Sequence, residues 1–183
     1  KNWIMKSLSD YNIKFEGLKQ GTHFFEFDVD NLFFEEFECF DFKDSAIAVG
    51  LEFEKQSTIM VLTFDFLGAI TVPCDRCLDD VEVEVAGEEK LIVKFGNEEY
   101  DDTDEIIMLP IHEYELNVAK YIYEFINVNI PQKRTHDEDL CNQDVISKLG
   151  EVAPAAKEEE NDNEIEVDPR WASLQDIKLN KNK

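Results

Sequence analysis

At 183 residues, with 43% hydrophobic, 11% aromatic and 33% charged side chains, the chain has room for one domain with its own packed core plus a tail. No apolar run approaches the roughly 18 residues of a membrane-spanning helix, and no charged leader with an apolar stretch behind it opens the chain, so the expectation is a folded, cytoplasmic protein. A formal net charge of −24 argues against broad nucleic-acid binding, which relies on lysine and arginine displacing counterions, and favours encounter with basic proteins; the plainer reading of that charge is solubility alone.

Residues 1–10 are expected to be a leader outside the domain, with Met5 as the native start. Tyr11–Phe15 and Thr22–Phe27 then alternate apolar with polar residues, punctuated by Gly17 and Gly21, as two strands do. Asp30 is a good cap for a short helix over Asn31–Cys39, whose Phe33, Phe34 and Phe37 share a face; these aromatics and Cys39 read as core. Ala46–Glu54 and Thr58–Leu67 form a hairpin across a polar turn. Val81–Val85 and Lys90–Phe95 predict a second one, turning through Ala86-Gly87-Glu88-Glu89. The acidic stretch Asn97–Glu105 lacks the spacing of a calcium loop and reads as a solvated turn. Ile106–Leu109 is one more short strand, stopped by Pro110, and the longest helix is predicted over Glu113–Asn129, ended by Pro131.

The fold class that follows is α+β: an antiparallel, curved or barrel-like sheet of about six or seven strands, covered by one main helix, in a single domain over residues 11–150. Residues 151–167 collapse to Glu, Asp, Asn, Ala and Pro, the composition of a disordered acidic linker. Beyond it Asp168 suits an N-cap and Pro169 a first helical position. Trp171, Leu174 and Ile177 follow at helical spacing, so 168–183 reads as a short docking segment for a partner, or as a strap returning to the core.

One turn carries metal chemistry. Cys74 and Cys77, two residues apart between two strand patterns, can hold a tetrahedral zinc ion through Zn–S bonds of about 2.3 Å if two more ligands arrive from elsewhere. His136 and Cys141, in the polar stretch Gln132–Cys141, are able to supply them; the competing reading makes His136 a loop residue and Cys141 a small buried apolar one. A thioredoxin-like redox pair would open a helix, whereas Val-Glu-Val-Glu-Val follows this one. Arg76, between the cysteines, is a partner for Asp79, Asp80 or Glu82, or part of a small basic spot with Lys133 and Arg134.

The run Pro-Cys-Asp-Arg-Cys-Leu-Asp-Asp over 73–80, with Asp168-Pro169-Arg170-Trp171-Ala172-Ser173-Leu174, resembles the bacterial YceD family, implicated in accumulation of large-subunit (23S) ribosomal RNA. The resemblance runs from about Tyr11 to the C-terminus and takes in Gly21–Phe27 and the aromatic stretch Asn31–Phe37. Many members carry a second cysteine-rich cluster after the main helix, where this chain has His136 and Cys141.

The resemblance implies a non-enzymatic ribosome-biogenesis factor, working through a basic ribosomal protein or a large-subunit assembly particle and possessing, at most, a structural zinc. Arg76, Asp168, Pro169, Arg170, Trp171, Leu174 and Ile177 are the expected partner contacts. Two other classes of function stay open at this point. A zinc hydrolase needs an open ligand position and a nearby base, for which Asp75 or Glu84 are candidates. Direct RNA binding would use Arg76, Lys133 and Arg134. No Ser-His-Asp set or phosphate-binding glycine loop is present; none of the 7 glycines is spaced for one.

Overall fold

A computed structural model describes residues 8–96 and 106–152. The acidic turn predicted over 97–105, the linker from 153 to 167 and the docking segment with Asp168, Pro169, Arg170, Trp171, Leu174 and Ile177 lie outside the described residues.

Alternation of inward and outward side chains builds the sheet. Strands β2 (Gly21–Asp30), β3 (Asp44–Lys55), β4 (Ile59–Pro73), β5 (Asp80–Phe95) and β6 (Ile106–Leu109) lie side by side in the order β2-β3-β4-β5-β6. In β4 the inward set Met60, Leu62, Phe64 and Phe66 is buried, while Val61, Thr63, Asp65 and Leu67 between them are not. The sheet is open, with β2 and β6 at its edges, rather than closed into a barrel. A second, two-stranded sheet pairs β1 (Asn12–Ile13) with β7 (Leu116–Asn117).

The structure departs from the sequence reading in several places. The hairpin expected around Gly87 does not exist: β5 runs unbroken through Asp80–Phe95, with Gly87 paired to Phe66 in mid-strand. Gly87 is there because a side chain would not fit, since a Cβ would stand 2.6 Å from Asn129 Oδ1 and 2.9 Å from the Phe66 ring. The sheet is not wholly antiparallel either, as β6 runs parallel to β5, pairing Ile92 with Ile106 and Phe95 with Leu109.

The main helix, α2, spans Ala119–Asn129 rather than starting at Glu113. Leu116 is buried by strand pairing with Ile13, not by a helical stripe, and the Asn117 side chain accepts a hydrogen bond from Ala119 N (3.0 Å). Helix α1 is likewise shorter, Asn31–Glu35: Asp30 caps its start through Phe33 N, and Glu38, at φ 56°, turns the chain out so that Cys39 N closes on Phe34 O.

The core lies between the inner sheet face and the helices. Helix α2 buries Ala119, Ile122 and Ile126, and Phe125 meets Phe64 with ring centroids 5.3 Å apart. Phe33, Phe34, Phe37, Phe42 and Tyr123 form an aromatic cluster beside α1, in which Phe37 stacks on Tyr123 at 4.5 Å. Leu8–Tyr11 is a 3-10 turn tied to Asn117 through the Leu8 carbonyl. A helix that the sequence reading left out, α3 (Gln143–Val152), runs into the stretch read as linker. Described residues up to Ser147 belong to one compact unit, and those from Lys148 to a second. Among the described residues no helix is long and apolar enough to cross a membrane.

Candidate metal centre

Between β4 and β5 the chain makes one tight turn. Cys74 N bonds to Asp79 O (2.8 Å) and Leu78 N to Cys74 O (3.0 Å), which curls Cys74 and Cys77 onto the same side. Leu78 takes φ 65°, a conformation that costs a non-glycine residue about 1 kcal/mol, and its side chain is 76% exposed, so burial does not offset the strain. Backbone N–H groups point back at the Cys74 sulfur, Arg76 N at 3.5 Å.

The second half arrives after α2. A short extended stretch follows Ile130, Glu138–Leu140 makes one 3-10 turn, and Cys141 precedes Asn142, which holds the first turn of α3 through Asp144 N at 3.2 Å. This brings four donor atoms together: those of Cys74, Cys77, His136 and Cys141 all lie within 4.8 Å of one another. The sulfurs of Cys74 and Cys141 are 4.0 Å apart, Cys77 Sγ is 3.5 Å from His136 Nδ1, and Cys141 Sγ is 4.0 Å from the same nitrogen. Tetrahedral zinc sets S···S at about 3.8 Å and S···N at about 3.6 Å, from its bond lengths of about 2.3 and about 2.0 Å, so these three separations lie within about half an ångström of those the ion requires. All three cysteines are buried and reduced.

The histidine tautomer suits a metal as well. Nε2 of His136 lies 2.9 Å from Asp80 O, which can only accept, so the proton belongs on Nε2 and the Nδ1 lone pair faces the sulfurs. That same bond to Asp80 is the first cause raising the His136 pKa, with the Cys74 side chain next. Burial alone would push the Cys74 thiol up, but the backbone N–H groups of Cys77, Arg76 and His136, together with the Cys77 side chain, bring it down to about 6. Cys141 is pushed up to about 11 by burial and then by hydrogen bonds with Cys74 and Cys77. One sulfur thus already carries thiolate character, the form in which cysteine binds metal.

The two residues between the cysteines fasten the halves together, a role their sequence position did not disclose. Asp75 N donates to Arg134 O (2.8 Å), Arg134 N donates to Asp75 Oδ2 (2.8 Å), and the Arg134 guanidinium reaches Asp75 Oδ1 (3.3 Å). Arg76 Nη2 donates to His136 O at 2.6 Å, so it engages the second half of the site. Asp80 pairs its carboxylate with Lys43 while its carbonyl orients His136. Cys39 is away from this group, beside Tyr123, whose pKa is raised by burial and then by Cys39. His112 is exposed and faces Glu113.

Outer contacts of this kind are worth roughly 10–100-fold in metal affinity. Asp75→Ala, which removes both side-chain bonds to Arg134 but no ligand, is expected to weaken zinc retention about tenfold in competition with a chromophoric chelator. Asp79→Ala, whose side chain lies outside the clasp, should change retention by no more than about twofold. Equal effects from the two variants would show that only local charge matters.

A family model described as the large ribosomal RNA subunit accumulation protein YceD matches residues 62–178. The matched stretch contains both halves of the cluster. Neither the curated proteins nor the solved structures include a match.

Proposed function

This chain belongs to the YceD family of large ribosomal RNA subunit accumulation proteins, and from that premise we propose that it is a non-enzymatic assembly factor that holds a basic ribosomal protein or a large-subunit assembly particle. The family match carries the reading, and the physical features agree with it. Four donors would fill a tetrahedral shell around an ion, the arrangement of a structural zinc rather than of a catalytic one that keeps a position for water or substrate. Of the bases considered for hydrolysis, Asp75 is engaged by Arg134, and Glu84 stands opposite Ala69 on the sheet face away from α2. Of the cations considered for RNA contact, Arg134 is paired with Asp75 and Arg76 is bonded to His136, so the basic spot is largely consumed within the fold. The acidic body, at a net charge of −24, instead steers basic proteins toward itself.

In this reading the segment 168–183 supplies a second contact through Arg170, Trp171, Leu174 and Ile177, which gives geometry to an encounter begun by charge. Cells lacking the chain should accumulate less 23S than 16S ribosomal RNA, and a tagged full chain should capture large-subunit proteins that persist after nuclease treatment. A chain ending at Val167 should capture less. Loss of every partner after nuclease would replace this reading with direct RNA binding, and unchanged ribosomal RNA in the deletion would end the assembly role.

A further inference from the structure

Alternation along β2–β6 gives the sheet a second face that nothing among the described residues covers. Helix α2 sits on the face that carries Phe64 and Glu89, which it meets through Phe125 and through Asn129 Nδ2 (2.9 Å to Glu89 Oε1). On the opposite face no strand residue is buried. The register places these outward side chains in rows across the strands. Glu26, Gly50, Asp65 and Glu88 stand side by side; the next row is Asp28, Ala48, Leu67 and Ala86; the one after is Asp30, Ala46, Ala69 and Glu84. Rows two residues apart are separated by about 7 Å. An apolar floor of alanines around Leu67, itself 62% exposed, therefore runs across the sheet between acidic rows. At the β2 end it deepens into a hollow of about 360 Å³, lined by Asp28, Ala48 and Leu67 among others.

Asp65 and Glu88 are directly opposite on adjacent strands, an arrangement that destabilises a sheet when both charges have the same sign. Among the described residues neither has an ion-pair partner. Repulsion retained on an uncovered face is relieved by a cation brought from outside. The floor between the rows matches the aliphatic stem of lysine or arginine, which lies along apolar surface while its charged head reaches a carboxylate.

We propose that this open sheet face docks a lysine- and arginine-rich segment of a partner protein, with the stems on Ala48, Leu67 and Ala86 and the cationic heads at Asp65 and Glu88. Phosphates would meet the same carboxylates with the wrong sign, so RNA is not the occupant. The inference rests on the reading of the chain as an assembly factor with a basic protein partner.

The test is fluorescence anisotropy on the full chain with a labelled peptide of about twelve alternating lysine and alanine residues, and with a single-stranded RNA of similar length as the second probe. Asp65→Asn combined with Glu88→Gln is expected to weaken peptide binding about tenfold. Glu35→Gln with Glu36→Gln, which removes the same charge near α1, should leave it within about twofold. Because the first pair relieves a repulsion, its melting temperature should be unchanged or higher, which separates lost binding from lost folding. Equal weakening by the two pairs, or preference for the RNA, overturns the proposal. The titration contains no ribosome and so decides the surface alone; ribosomal RNA levels in cells lacking the chain decide the assembly reading, and either can fail while the other stands.

Discussion

Removing zinc from the full chain with a strong chelator is expected to lower its melting temperature by more than about 10 °C, and the protein as purified is expected to carry about one zinc per chain. The magnitude follows from linkage. Structural zinc sites bind with roughly 10–16 kcal/mol in small peptides, and an ion that binds only the folded state adds its binding energy to stability. Here a sheet and an aromatic core share the work of folding, so the apo chain should melt early rather than fail to fold. Cys74→Ser, Cys77→Ser and Cys141→Ser should reproduce the loss and make the chelator ineffective. Cys39→Ser, outside the cluster, should keep the zinc. If protein purified without added metal holds none and the chelator leaves melting unchanged, the cysteines are packed thiols and the turn is merely structural.

The second large effect separates two neighbours in one strand. Phe64 is fully buried in β4 and joins the sheet to α2 through Phe125, so Phe64→Ala should destabilise by about 3–5 kcal/mol. At about 2–4 °C per kcal/mol for a domain of this size, melting falls by roughly 6–20 °C. Leu67→Ser, on the uncovered face, should change stability by no more than about 0.5 kcal/mol. Denaturant titration checks both. A large loss from Leu67→Ser would mean that something covers that face.

Much of the fold was legible because its signals are local. The period of two in β3 and β4, the Asp30 cap and the Cys-x-x-Cys turn each lie within a few residues. Contacts between distant residues were not legible. Gly87 looked like a turn because a glycine needed for close approach by Asn129 has the same letter as one needed for a bend. Leu116 fitted the helical stripe of α2 by spacing, yet its burial comes from β1. Helix α3 was left out because its polar start, Asn142-Gln143-Asp144, hides the apolar positions Val145 and Ile146 that pack against the core. At the metal centre, His136 and Cys141 were identified as candidates from ligand chemistry. The clasp of Asp75 on Arg134 left no sign, since a half-exposed ion pair across such a separation imposes no period on either segment.

Cys77 and His136 stand 59 positions apart, and that separation has a consequence during synthesis. A ribosome adding about 5–20 residues per second makes His136 roughly 3–12 seconds after Cys77. Over that interval the nascent chain presents Cys74 and Cys77 without His136 and Cys141, the other two donors of the cluster, so an ion held there is easily exchanged. Secure capture must wait until α2 has been made and the Arg134–His136 stretch has come back to the turn. With the cluster read as a zinc site, incorporation would be a late event in the life of each new molecule, and a metal-starved cell would accumulate chains whose sheet is formed but whose seam is still open.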